Sequence, residues 1–238
     1  MTAVKRNGER YYLNVIIWGE YLDSVSTYPM KQLDDRERAR AGLFRTTEAH
    51  NEFVAGRVLA KAALAAVTGT TPREWRLDDG PGGRPMAVGP ESADVNIAHS
   101  GGLVAVAAAR GVEAPVGIDV EDTSRAIRMD RLVRRYFLQS ERDAYESLTD
   151  PNQRRERFFA LWSLKEAHAK ATGIGLAKTI SEVAFTLDDG DVNPCCSDPR
   201  VTTALSRIGG HTLAVVAPQG TEIPRMTLVN LATVAADS

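Results

Sequence analysis

The chain states one local order twice. Glu48 to Val67 carries a helical apolar stripe of Phe53, Val54, Val58, Leu59, Ala62 and Ala66, with Thr47 as its expected N-cap and Gly69 as its stop. Trp75–Leu77 then reads as a short strand running into the turn Asp78–Asp79–Gly80. Two apolar arms follow, Val95–Ile97 and Leu103–Ala109, joined through Ala98–His99–Ser100–Gly101–Gly102. About 105 residues later the order returns, a spacing far beyond solenoid periods. A helix over Arg157–Thr172 stops at Gly173, a strand over Val183–Leu187 leads to Asp188–Asp189–Gly190, and arms Val201–Leu205 and His211–Ala217 flank Gly209–Gly210. Such a rhyme predicts an α+β chain of two similar α/β lobes, residues 1–112 and 113–238, with a seam at Gly111–Pro115. Each lobe is small for an independent core, so the two are expected to pack face to face around a ligand-binding cleft.

The remaining segments fit this plan. Residues 11–18 read as a strand rich in aromatic and β-branched types. Asp34–Arg45 is densely charged; Ile127–Tyr136 and Ser140–Leu148 read as helices, Thr149–Glu156 as a polar break and Cys195–Pro199 as a loop. The tail Thr221–Ser238 carries no clear pattern. With 43% apolar residues, 25% charged residues and a net charge of −2, the chain resembles a soluble globular protein without a global pull toward nucleic acid. Its two cysteines, Cys195 and Cys196, are neighbours, which rules out a cysteine zinc cage and fits a reducing cytoplasm. Leu13–Trp18 is too short for a secretory leader, and no apolar stretch approaches the roughly 20 residues of a membrane span.

Five constellations can carry chemistry. Val116–Asp122 alternates apolar and acidic residues, so a strand there turns Asp119 and Glu121 to one face, about 7 Å apart at roughly 3.3 Å per residue. Like charges so placed repel, and a divalent cation with oxygen ligands, Mg²⁺ above all, relieves the repulsion. Trp162–Lys170 places Glu166 and Lys170 one turn apart on a helix that its aromatic neighbours mark as buried. Asn96–Gly102 offers an imidazole (His99), a hydroxyl (Ser100) and turn N–H groups to a phosphate. Gly83–Arg84–Pro85 presents a guanidinium on a rigid loop, and Arg36, Arg38 and Arg40 supply further cations. Taken singly, these are a solvated strand, a surface ion pair, two turns and a charged face.

Together they resemble the Sfp-type 4′-phosphopantetheinyl transferase family. Gly117–Ile118–Asp119–Val120–Glu121 and Trp162–Ser163–Leu164–Lys165–Glu166–Ala167–His168–Ala169–Lys170 match its two defining motifs, roughly 40 residues apart. Asn96–Ile97–Ala98–His99–Ser100 matches its Asn-x-Ser-His-[Ser/Thr] turn, with Ala98 in place of the serine, and Gly83–Arg84–Pro85 matches its Gly-Lys-Pro loop. The resemblance spans about residues 36–176 and implies two lobes related by a pseudo-twofold in the double-length form of the fold. It implies Mg²⁺-dependent transfer of phosphopantetheine from coenzyme A to a serine of an apo carrier protein, releasing 3′,5′-ADP. Asp119, Glu121 and Glu166 would hold the metal and Lys170 would face the attacked phosphate. Glu166, directly or through a metal-bound water, would be the base, with Glu121 as its rival. Arg36 (or Arg38 or Arg40), Gly83, Arg84, Pro85, His99, Ser100, Lys165 and Lys170 would contact coenzyme A.

The carrier, an acyl or peptidyl domain of a fatty acid, polyketide or nonribosomal peptide synthase, is expected to dock on Arg131–Leu138, where arginines alternate with apolar residues. A monomeric cytoplasmic enzyme of secondary metabolism, without nucleic-acid or membrane partners, follows. A Mg²⁺-dependent nucleotide phosphohydrolase and a non-catalytic coenzyme A-binding scaffold are the rival readings.

Overall fold

The repeated order is present as two chain units in a computed structural model, which describes residues 2–6, 9–13, 15–22, 30–111, 115–188 and 194–236. One unit comprises residues 1–116 and 224–238, the other residues 117–223.

In the first unit, β1 (Thr2–Arg6) and β2 (Glu9–Leu13) form an antiparallel pair, and β3 (Val15–Tyr21) enters the main sheet. Helix α1 (Asp35–Ala41) starts with a capping box, in which Asp34 accepts the Glu37 N–H and Glu37 accepts the Asp34 N–H. Helix α2 (Thr47–Thr68) is capped by Thr46, one residue before the expected Thr47, and closes on Gly69 at φ 78°. Strands β4 (Arg76–Asp79) and β5 (Pro85–Val88) pair with each other. Strands β6 (Ala93–Ser100) and β7 (Leu103–Arg110) form the hairpin, with β7 also pairing antiparallel to β3. Both arms are longer than the apolar runs suggested, because Gly101 and Gly102, at φ 54° and 80°, make a two-residue turn open to little else than glycine.

The second unit repeats this plan. Strand β8 (Gly117–Asp122) is followed by α3 (Met129–Tyr136), α4 (Gln139–Glu146), α5 (Pro151–Thr172) and α6 (Leu176–Glu182). Strands β9 (Phe185–Thr186) and β10 (Cys195–Cys196) form a short antiparallel pair, and β11 (Val201–Ile208) and β12 (His211–Pro218) the hairpin. Strand β12 lies between β11 and β8, as β7 lies between β6 and β3. The hairpin turn again uses two glycines, Gly209 and Gly210 at φ 52° and 84°, and α5, like α2, has 22 residues and a left-handed glycine cap.

Several elements depart from the sequence reading. The long helix begins at Pro151, not Arg157: Asp150 caps it, and proline at the first position sacrifices no hydrogen bond, so the expected polar break is an exposed first turn. Helix α6 and the strand at Cys195–Cys196 were not expected. Residues 112–114 of the expected seam, with the 112/113 boundary, and residues 189–190 of the second Asp-Asp-Gly turn lie outside the described residues. The tail joins the first unit rather than the second. Strand β13 (Thr227–Leu228) pairs parallel to β3, and α7 (Leu231–Ala236) buries Leu231, whose N–H donates to Glu20 at 3.1 Å. Among the described residues, no helix is long and apolar enough to cross a membrane.

Candidate active site

The acidic strand and the second long helix meet inside the second unit. Strand alternation turns Gly117, Asp119 and Glu121 to one face of β8, and α5 crosses that face. The approach is close because residue 117 has no side chain. A Cβ there would overlap the Ala167 carbonyl oxygen and stand 2.7 Å from the Ala171 nitrogen. Helical spacing then sets Ser163, Glu166 and Lys170 on the α5 stripe that faces the strand. Lys170 Nζ donates to Asp119 Oδ1 at 2.7 Å and to the Ile118 carbonyl at 3.1 Å, joining the two motifs across 51 positions of sequence. Its hydrogen-bonded carboxylate is thus Asp119, while its charge also acts on Glu166.

Three carboxyl groups share this place, and each has its proton affinity raised. Burial raises the pKa of Asp119, with Lys170 opposing. Burial and the charge of Asp119 raise Glu121, with Arg125 opposing at 2.6 Å. Burial and Asp119 also raise Glu166. Such mutual repulsion in a desolvated place is what a cation relieves. Asp119 Oδ2 is buried and without a hydrogen-bond partner, and the donor set is all oxygen, as hard divalent cations prefer. The residues therefore fit such an ion by chemistry. As the side chains stand, no three His, Cys, Asp or Glu groups among the described residues converge on one point.

Lys165 is a different case from its neighbours. It is fully buried, points away from β8 and donates to Glu141 Oε1 at 3.0 Å and the Val183 carbonyl at 2.8 Å. Glu141 in turn accepts the N–H groups of Leu138 and Phe185, tying α4, α5 and β9 together. The first unit carries the same device. Lys61 on α2 meets Glu37 at 2.6 Å, both buried, and Glu37 likewise caps its own short helix. Lys61 is followed by Ala62 where Lys165 is followed by Glu166, so the pair persists in a unit whose long helix lacks the acid. Lys165 is therefore a packing residue, and its expected contact with coenzyme A is withdrawn: a lysine at 0% exposure, with a buried carboxylate, cannot reach a solvent-borne phosphate.

The remaining expected contacts lie in the first unit. Arg84 follows a turn with Gly82 and Gly83 at φ 66° and 80°, and precedes Pro85 at the head of β5. Its guanidinium is not simply presented: Nη2 binds Asp94 at 2.5 Å and the Val116 carbonyl at 2.8 Å, while Asp94 accepts the Val116 N–H. His99 is half exposed, with Nδ1 3.0 Å from Glu52. His99 and Ser100 belong to β6, paired with Val104 and Leu103, so they sit on a strand and not in the turn. On α1, Arg38 meets Asp35 at 2.7 Å and Arg40 meets Asp79 at 2.5 Å; Arg36 makes no ion pair among the described residues.

Sequence reasoning missed Gly117 as the point of helix approach, Arg125 as the partner of Glu121, and Ser163. The first and last were readable in principle, one from strand alternation and the other from its seven-residue distance to Lys170.

The family profile described as the 4′-phosphopantetheinyl transferase superfamily matches residues 115–215. The 4′-phosphopantetheinyl transferase psf-1 of Bacillus pumilus is 30% identical over 185 residues, which cover 75% of this chain and 76% of that protein. The 4′-phosphopantetheinyl transferase HetI of Nostoc sp. strain PCC 7120 is 33% identical over 159 residues, covering 65% of each; the chain thus spans just under two thirds of HetI. Among solved structures, a holo-(acyl-carrier-protein) synthase from Bacillus anthracis matches 44% of this chain and 94% of its own at 22% identity, with a TM-score of 0.36.

Proposed function

Because the chain belongs to the Sfp-type 4′-phosphopantetheinyl transferase family, we propose that it moves the phosphopantetheine arm of coenzyme A onto a serine of an apo carrier protein. The observation that carries this reading is the junction of β8 and α5, where Lys170 binds Asp119 and the charge of Asp119 acts on both Glu121 and Glu166. In the reaction, the serine oxygen bonds to the phosphorus that carries the pantetheine arm. The bond from that phosphorus to the bridging oxygen breaks, and the bridging oxygen leaves with 3′,5′-ADP. Glu166, whose proton affinity is raised by burial and by Asp119, takes the hydroxyl proton; Glu121 is the alternative. Lys170 offsets charge gathering on the phosphoryl oxygens. Asp119, Glu121 and Glu166 would hold a Mg²⁺ ion, which when bound neutralises the diphosphate and polarises its oxygens.

In the first unit, Arg36, Gly83, Arg84, Pro85, His99 and Ser100 are proposed contacts of coenzyme A. Arg36 is preferred to Arg38 and Arg40 because, among the described residues, those two form ion pairs with Asp35 and Asp79 and Arg36 forms none. The carrier is proposed to dock on α3. Val133 and Phe137 face the core, whereas Arg131, Arg134 and Arg135 are exposed and have no carboxylate partner among the described residues. That leaves positive charge for an acidic helix to neutralise. A monomer of the cytoplasm, serving a fatty acid, polyketide or nonribosomal peptide synthase, completes the proposal. Mass spectrometry of apo carriers incubated with coenzyme A and Mg²⁺ tests it: transfer adds a phosphopantetheine mass, hydrolysis leaves the carrier unchanged and consumes coenzyme A, and a scaffold changes neither.

A further inference from the structure

Ser163 is fully buried on the α5 stripe that carries Glu166 and Lys170, and its Oγ makes no hydrogen bond of standard geometry. Across from it, Asp119 gives Oδ1 to Lys170 and keeps Oδ2 buried and unpartnered. Nearly all buried polar groups in folded proteins are paired, and leaving one unpaired costs about 1–3 kcal/mol. Two such atoms in one site, one a donor and one an acceptor, therefore need a reason. Ser163 lies two turns before Lys170 on that stripe, and Lys170 is the residue that binds Asp119 across the α5–β8 junction. The duplicated helix supplies an independent comparison. Counting back two residues from the matched buried lysines gives Ser163 before Lys165 and Leu59 before Lys61. Leu59 is equally buried, so the helix without the acids fills this position with hydrocarbon and the helix beside the acids places a hydroxyl there.

We propose that Ser163 is a positioning residue of the acidic site, its hydroxyl donating to the Asp119 carboxylate and holding it for a bound divalent cation. The inference rests on the functional reading above, in that it presumes a cation at Asp119. Groups that orient metal ligands typically contribute about 10- to 100-fold to metal affinity. The test is Mn²⁺ binding to the full chain, followed by electron paramagnetic resonance, for wild type, Asp119→Ala, Ser163→Ala and Ser163→Thr, with a thermal melt of each variant without metal. Ser163→Ala is expected to raise the Mn²⁺ Kd about 10-fold and to lower the metal-free midpoint slightly, since a buried donor to Asp119 has been removed; Ser163→Thr is expected to restore both. A wild-type Kd in Ser163→Ala overturns the inference alone, as does a Ser163→Thr protein that recovers the midpoint without recovering Mn²⁺ binding, which marks Ser163 as a packing residue. Absence of Mn²⁺ binding in wild type, or full binding in Asp119→Ala, overturns the acidic site and the inference with it.

Discussion

Gly117 on β8 and Ala167 on α5 lie so close that a methyl group on the glycine would occupy the position of the Ala167 carbonyl oxygen. That approach lets Lys170 reach Asp119, and it cannot be relieved by a side-chain rotation because the obstacle is helix backbone. Gly117→Ala is expected to cost about 2–3 kcal/mol in urea unfolding, in the range for overpacked sites, and to lose transfer activity as the helix is pushed outward. Wild-type stability together with wild-type turnover would show that α5 can shift freely.

Asp119 and Glu166 are assigned separate tasks. Glu166→Gln keeps shape and removes the base, so turnover should fall about 10²- to 10⁴-fold with little change in the melt. Asp119→Ala should nearly abolish transfer; circular dichroism should show a retained fold. Wild-type turnover in either variant would remove the role given to that residue.

Breaking the Lys165–Glu141 pair should act on stability and leave substrate recognition intact. Lys165→Met strands a buried carboxylate and is expected to cost about 3–5 kcal/mol, with an unchanged KM for coenzyme A at temperatures where it is folded. Lys61→Met should behave likewise through Glu37. A raised coenzyme A KM in a stable Lys165→Met protein would restore the lysine as a ligand contact.

Acid sensitivity should concentrate at Asp198. Its carboxyl is held far below the usual range by hydrogen bonds from Arg200, with His168 assisting at 3.0 Å, against the cost of burial. A depressed carboxyl contributes stability that is complete above its unfolded value, about 3.9, and is lost as pH falls from there through the folded value. Asp198→Asn should therefore be less stable than wild type at pH 7, with the gap narrowing below about pH 4. Urea midpoints across pH measure this, and a gap constant with pH would assign the loss to packing.

Charge reversal on α3 tests the docking proposal. Arg134→Glu with Arg135→Glu should raise the carrier KM while coenzyme A binding, read by calorimetry, stays at the wild-type value. Both arginines are exposed, so the fold should be unaffected. An unchanged carrier KM would remove α3 as the docking surface.

Local periodicity was enough to read the duplicated plan, the shared face of Asp119 and Glu121, and the one-turn distance from Glu166 to Lys170. These follow from alternation along a strand and 3.6 residues per helical turn, which belong to the chain itself. Gly101–Gly102 and Gly209–Gly210 marked their turns because few residues other than glycine tolerate such φ values. Which charges meet did not follow, because it depends on distance in space. Lys170 reaches across to bind Asp119, 51 positions away. Arg84 is drawn to Asp94. Lys165, adjacent in sequence to an acid of the site, lies on a different face of its helix, since each residue advances about 100° around the axis. The tail, whose apolar residues keep no clear period, takes its structure from pairing with β3. Sequence carries the chemistry of each side chain and its local direction; burial and partnership are decided only when distant segments pack, and those two set which lysine is sealed in the core (Lys165) and which joins the acidic strand (Lys170).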